Sequence, residues 1–407
     1  MTRTTVALMA ALLVQAACAG NDAPSSSSSA AGSPTPVSTA AESAAAGGRR
    51  VIRPSGFPDR PYSYGVRVGD TVFLSGQLGR HPETGAQPDG IEAQTRQAME
   101  NIGAILKADG LGFEHLVKCH VYLASMDDYA GMNKVYGSFF TERVPARTTV
   151  EADAVPAGAA VEIACVAHAD LAGISVVRPP DGSLPAPLGP YSAAVWAGDT
   201  LYLSGMGGQN PADRQVAERV PAQVTQTLAN IGTTLTAAGL GFADVVSSTA
   251  YITTPSEMDG FEPAFAVPFG TGTVPPVSVI HLPRLPGPIK AELTFVAARQ
   301  RGTRLYAQVV SAPDAGPGVD AQARAVMTTL QEAVRAQGLA WADVAHVQVY
   351  LADLADMPAM DAVYRDLFPQ DAPARTTIQA QLPGAVRVQI GVTAVRLRPL
   401  RGATADR

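Results

Sequence analysis

The chain has 407 residues, 46% hydrophobic and 16% charged, with a formal net charge of −6. Such a composition buries real cores, and the length fits roughly two to four domains. A pI near 5.6 and the lack of any Lys/Arg block exclude the electrostatic footprint of a nucleic-acid binder.

Read in chain order, residues 1–19 have the form of an export signal. Arg3 supplies the positive start, and Val6 to Val14 is an apolar run shorter than the roughly 20 residues that span a bilayer. Small residues follow at Ala16, Ala17, Cys18 and Ala19. Two cleavage readings stand side by side. One cuts after Ala19. The other cuts before Cys18 and lipidates it, as in bacterial lipoproteins, although Gln15 departs from the Leu common three residues before such a Cys. Either places the protein outside the cytoplasm, periplasmic or membrane-anchored, and the only membrane contact expected is that lipid. Residues 20–50 are a Ser/Ala/Pro/Gly-rich linker that cannot bury a core and is expected to be disordered.

From residue 51 the elements repeat. Tyr62 to Val68 and Thr71 to Ser75 predict two strands joined by a Gly69-Asp70 hairpin. Ile91 to Asp109 predicts a helix, with Ile91, Ala98, Ile102, Ile105 and Leu106 on one stripe and Gly110 as its left-handed stop. Leu116 to Ala124 predicts a strand, and Asp127-Asp128 opens a second helix carrying Met132, Val135, Tyr136, Phe139 and Phe140 inward. Arg147 to Ala152 and Val161 to Ala167 close the unit as strands. The order β-β-α-β-α-β-β predicts one sheet with both helices on one face.

The phrase after the first helix recurs. Asp109-Gly110-Leu111-Gly112-Phe113 is echoed by Ala238-Gly239-Leu240-Gly241-Phe242 and by Gln337-Gly338-Leu339-Ala340-Trp341. This divides the body into unit 1 (51–170), unit 2 (184–299) and unit 3 (300–400). Unit 3 is truncated at its start, since nothing between Arg299 and Thr303 supplies a first strand. The strand stretches Val117 to Leu123 and Val161 to Ala167 are too uniformly apolar to face water. Three such sheets would cover one another around a common axis, giving an α+β intramolecular pseudo-trimer and a monomeric chain. Cys119 and Cys165 read as small buried hydrophobes, with a disulfide permitted by the exported context. The six His residues are scattered, and no Cys/His spacing marks a metal site.

Unit 1 resembles the RidA/YjgF family of imine/enamine deaminases. The matching text is Pro61-Tyr62-Ser63, Ser75-Gly76-Gln77, Asn101-Ile102, Asn133 three before Tyr136, Phe139-Phe140, Pro145-Ala146-Arg147-Thr148 and Val161-Glu162-Ile163. The resemblance implies chorismate-mutase-like units, clefts between neighbours and hydrolysis of 2-aminoacrylate and related 2-imino acids to 2-keto acids and ammonia, with no cofactor or metal. The residue types suit that task. A guanidinium fork grips a carboxylate, which nominates Arg147. A carboxyl group with a pKa near neutrality can handle water and protons in turn, which nominates Glu162. Tyr62, Ser75, Gly76 and Asn133 are expected to line the substrate cleft. A second site is expected from Arg375, Tyr191, Ser204 and Glu292.

The copies are unequal. Val277 stands where unit 2 should carry the arginine, and Gln389 where unit 3 should carry the glutamate; Ala307 replaces the Ser and Asp361 the Asn in unit 3. Unit 1 itself departs from the family at Arg60, which replaces Gly before Pro-Tyr. One competent cleft or two are expected, and not three. The alternative is an exported small-carboxylate binding module whose degenerate pocket has no turnover.

Overall fold

The computed structural model describes residues 48–299 and 304–396. The export segment 1–19, Cys18 and the linker up to residue 47 lie outside the described residues.

Three sheets form the body. In unit 1, β1 (Arg49–Ile52), β2 (Gly65–Val68), β3 (Thr71–Leu74), β4 (Gln77–Leu78), β5 (Leu116–Leu123), β6 (Ala146–Glu151) and β7 (Val161–His168) make a sheet in the order β1-β2-β3-β7-β5-β6, with β4 also on β7. Helices α1 (Ile91–Ala108) and α2 (Tyr129–Gly137) pack on one face over Met99, Ile102, Ile105, Leu106, Met132 and Tyr136. Gly110 takes φ +76°, the left-handed turn that releases the chain from α1 into β5, and Gly239 and Gly338 do the same at φ +72° and +70°.

Unit 2 repeats the plan with β8 (Ile174–Val177), β9 (Ala194–Ala197), β10 (Thr200–Leu203), β11 (Met206–Gly207), α3 (Val220–Ala237), β12 (Val245–Ile252), α4 (Phe261–Ala266), β13 (Val277–His281) and β14 (Ala291–Ala298). Its sheet runs β13-β12-β14-β10-β9-β8. Unit 3 has β15 (Arg304–Val310), α5 (Val319–Ala336), β16 (Val344–Leu351), α6 (Met357–Leu367), β17 (Ala374–Gln379) and β18 (Val388–Val395), in the order β15-β18-β16-β17. Among the described residues it has no first hairpin strand.

Two strands depart from the sequence expectation. Arg49 and Arg50, placed in the linker, begin β1, which pairs antiparallel with β2. β8 starts the second sheet ahead of residue 184 by pairing with β9.

The inner sheet faces meet one another. Tyr122, Val150, Tyr251, Ile280, Tyr350 and Ile378, two from each unit, share one buried cluster. The three tyrosines, one from each repeated strand, hydrogen-bond to each other at its centre. Smaller clusters close two seams: Val117, Ala146, Val195 and Tyr202 between units 1 and 2, and Val66, Phe73, Ala345 and Ala374 between units 1 and 3. Each inner face is therefore covered within one chain. Light scattering is expected to give the mass of a single chain, 42.1 kDa for the full sequence; a threefold larger particle would contradict this arrangement.

Cys119 and Cys165 are not free thiols. They face each other across β5 and β7 and form a disulfide. Their separation of 46 residues closes a long loop, so reduction is expected to lower unfolding free energy by about 2–4 kcal/mol. Denaturant titration with and without reductant measures this, and coincident curves would refute it.

Candidate active site

The candidate residues meet across seams, not within a unit. Within each unit the register sets the acidic position: Glu162 lies opposite Tyr122, Glu292 opposite Tyr251 and Gln389 opposite Tyr350. Glu292 and Glu162 each share a cleft with the arginine of a neighbouring unit. Glu292 of unit 2 shares a cleft of about 540 Å³ with Arg147 of unit 1 and with Tyr191. Glu162 of unit 1 shares one of about 530 Å³ with Arg375 of unit 3 and with Tyr62. The expected Arg147–Glu162 couple is therefore corrected: the two stand at different seams, because the arginine strand lies at the outer edge of its own sheet, against the next unit. The residues assigned to a second site divide in the same way, Arg375 going with Glu162, and Tyr191 and Glu292 with Arg147. At the third seam the corresponding positions hold Val277 and Gln389, with neither cation nor acid.

The backbone of the arginine strand is stapled to the neighbouring unit. The Arg147 N–H donates to Ser204 Oγ (2.8 Å), and that hydroxyl donates to the Ser192 carbonyl oxygen (2.6 Å). At the other seam the Arg375 N–H donates to Ser75 Oγ (2.7 Å), which donates to the Ser63 carbonyl (2.6 Å). Ser75 and Ser204 are fully buried. They were expected to bind substrate; both hydroxyls are instead committed to holding units together.

Gly76 lines the Arg375 cleft as expected, and Gly205 the Arg147 cleft, but their amides are committed. The Gly76 N–H donates to the Arg375 carbonyl (3.0 Å) and the Gly205 N–H to the Arg147 carbonyl (2.9 Å), so neither amide is free for a ligand. A Cβ on Gly76 would fall onto the Glu162 carboxyl, and one on Gly205 onto that of Glu292. These positions must be glycine for the carboxyls to lie where they do.

Arg147 is buried among aromatic rings, its guanidinium carbon 4.9 Å from the Tyr136 ring centre, 5.4 Å from Tyr191 and 5.8 Å from Tyr129. Nη2 donates to Tyr129 Oη (3.3 Å). The Leu188 N–H donates to Tyr191 Oη (3.2 Å), fixing that ring over the cation. Arg375 lies in the same way against Tyr62 (4.7 Å) and Tyr364 (5.0 Å). Such cation–π packing holds the fork rigid in a desolvated setting. Asn133 is not on the cleft wall; its Oδ1 is buried without a hydrogen-bond partner, beside Gly189.

Burial pushes the Glu292 carboxyl up to about 8, against the opposing pull of Lys118, Arg147 and the Thr149 N–H. Burial does the same to Glu162, also to about 8, opposed by the Thr377 N–H and Arg375. Each is then a carboxylic acid at neutral pH, able to donate a proton and take one back.

Sequence reasoning passed over two contributors. Tyr129 lies on the same helix face as Met132, Asn133 and Tyr136, a spacing that could have marked it. Lys118 is fully buried and donates to Thr148 Oγ1 (2.7 Å) and, across the seam, to Leu203 O (2.6 Å) and Thr294 Oγ1 (3.0 Å). Burial lowers its pKa to about 7. A lysine within the mostly apolar strand Leu116–Leu123 was the available signal.

A protein-family model described as Endoribonuclease L-PSP matches the chain over residues 55–169, 182–299 and 310–396. Among related proteins, Protein DfrA of Myxococcus xanthus is 44% identical over 110 residues, 26% of this chain and 84% of its own length. The 2-iminobutanoate/2-iminopropanoate deaminase of Mus musculus is 39% identical over 122 residues, 29% of this chain and 90% of its own. The crystal structure of RidA from an Antarctic Psychrobacter is 39% identical, covers 29% of this chain and 98% of its own, and has a TM-score of 0.29. Each relative thus has the span of one unit. Matched three times in succession, this chain belongs to the Endoribonuclease L-PSP family, the RidA/YjgF family that its motifs resemble.

Proposed function

We propose that the chain hydrolyses reactive 2-imino and enamine acids of the 2-aminoacrylate type to 2-keto acids and ammonia, at the seam between units 1 and 2. The observation that carries this reading is the pairing in one cleft of Arg147, a buried cation with no salt bridge among the described residues, and Glu292, a buried carboxyl whose pKa burial raises to about 8. The deaminase named among the relatives supports it.

In this reading the Arg147 fork binds the substrate carboxylate. Glu292 protonates the imine nitrogen, which makes the C=N carbon electrophilic. The resulting carboxylate takes a proton from water as the water oxygen bonds to that carbon. The same proton then goes to the amine nitrogen. The C–N bond breaks as the new hydroxyl returns its proton to Glu292, leaving a 2-keto acid and ammonia. An enamine acid joins the path once it has tautomerised to the imine. Arg375 and Glu162 form the second cleft.

The test is ammonia release from 2-iminopropanoate generated in situ, followed with the full chain. No acceleration over buffer, from a folded protein that still binds pyruvate, would leave the binding-module reading in its place. For location we propose export, which the Cys119–Cys165 disulfide supports, since such bonds persist in oxidising compartments.

A further inference from the structure

The two clefts share an arginine, a glutamic acid and a tyrosine, yet they differ in charge. On α2, three residues before Tyr136, stands Asn133; on α6, three before Tyr364, stands Asp361. Asp361 Oδ1 lies 2.7 Å from Arg375 Nη2, and the two side chains are 22% and 4% exposed. Among the described residues Arg147 has no salt-bridge partner. Two further exchanges accompany this one. Tyr129, which meets Arg147 Nη2, is replaced on α6 by Met357 on the wall of the Arg375 cleft. Gly189, whose Cβ would come within 2.7 Å of both Arg147 Nη2 and Asn133 Oδ1, is replaced in unit 1 by Arg60. Arg60, hydrogen-bonded to Tyr64, and Arg80 also line the Arg375 cleft, but both are exposed, so water weakens their charges, whereas Asp361 meets the buried Arg375 directly.

We propose that the two seams select ligands by charge, the Arg147 cleft taking a carboxylate and the Arg375 cleft an uncharged carbonyl or imine compound such as the amide of a 2-keto or 2-imino acid, with Asn133 and Asp361 as the residues that decide. This rests on the deaminase reading of the Arg147 seam. Adding a carboxylate to the Arg375–Asp361 pair places two acids around one buried guanidinium, and like charges in a desolvated site repel strongly. A carbonyl oxygen brings no charge. Arg375 Nη1 is buried with no hydrogen-bond partner, and so is Glu162 Oε2, in the same cleft. A primary amide offers the first an acceptor and the second a donor, satisfying two groups that would otherwise remain unpaired.

Calorimetric titration of the full chain with pyruvate and with pyruvamide tests this. Pyruvate is expected to fill one site, which Arg147→Ala removes, while pyruvamide still binds that variant. Asp361→Asn is expected to create a second pyruvate site. Asn133→Asp, which moves the acid to the other seam and is informative whether or not Asp361→Asn folds, is expected to weaken pyruvate binding at least about tenfold. Two equal pyruvate sites in the unaltered protein, an unchanged stoichiometry in folded Asp361→Asn, or undiminished pyruvate affinity in Asn133→Asp would overturn the proposal and leave the deaminase reading intact. Pyruvate binding that survives Arg147→Ala at full strength would instead overturn the deaminase reading, and the charge rule with it.

Discussion

Glu292→Gln is expected to lower ammonia release by about 10²–10⁴-fold, the usual contribution of a positioned proton-transfer group. The amide keeps the size and burial of the side chain and removes only its capacity to give and recover a proton. The pH profile supplies an independent reading. With Glu292 held up to about 8 by burial, the unaltered protein is expected to lose activity as pH rises through that value. The residual activity of the variant should lack this limb. A variant that deaminates at the unaltered rate would remove Glu292 from the chemistry. The same group acts on stability. Between the ordinary carboxyl range and about 8, the folded state keeps a proton that the unfolded chain has lost. Stability is therefore full at low pH and falls as pH rises through this window. Glu162 acts in the same direction, so part of the slope should persist in the variant.

Arg147→Ala is expected to lower kcat/KM by about 10–150-fold, which corresponds to loss of a charged hydrogen bond worth about 1.5–3 kcal/mol. Arg375→Ala should cost deamination far less, since its guanidinium is already paired with Asp361. Neither truncation touches the seam staples, because Ser204 and Ser75 hold the main chain of these arginines and not their side chains. Folding is thus separable from catalysis. Steady-state kinetics beside thermal melts of both variants makes the comparison, and equal losses from the two would show that the seams are not distinct in function.

Much of each unit was legible because its signals are local. Gly69-Asp70 marks a hairpin, the Ile102, Ile105 and Leu106 stripe marks a helix face, and Gly110 marks that helix's end. The apolar runs of β5 and β7 also implied that something must cover the sheet. β1 and β8 were not legible. Each has only four residues, with one of the four buried, and is held to its sheet by main-chain bonds that leave no trace in side-chain pattern. The site residues were nearly all named, but not their grouping. Which arginine meets which glutamate depends on the order of units around the axis, and no sequence period encodes that order. Ser75 and Gly76 show a further limit. Residue type announced a hydroxyl and an open backbone position, but not that the hydroxyl staples two units or that the missing side chain makes room for a carboxyl.

Covalent linkage of the three units has a consequence for how such sites diversify. In an assembly of identical subunits, one codon change alters every active centre at once, so a new specificity replaces the old. Here Asn133 and Asp361 are encoded separately, and a change in either is confined to its own cleft. One polypeptide can therefore hold its original chemistry fixed at one junction while another drifts toward a different ligand.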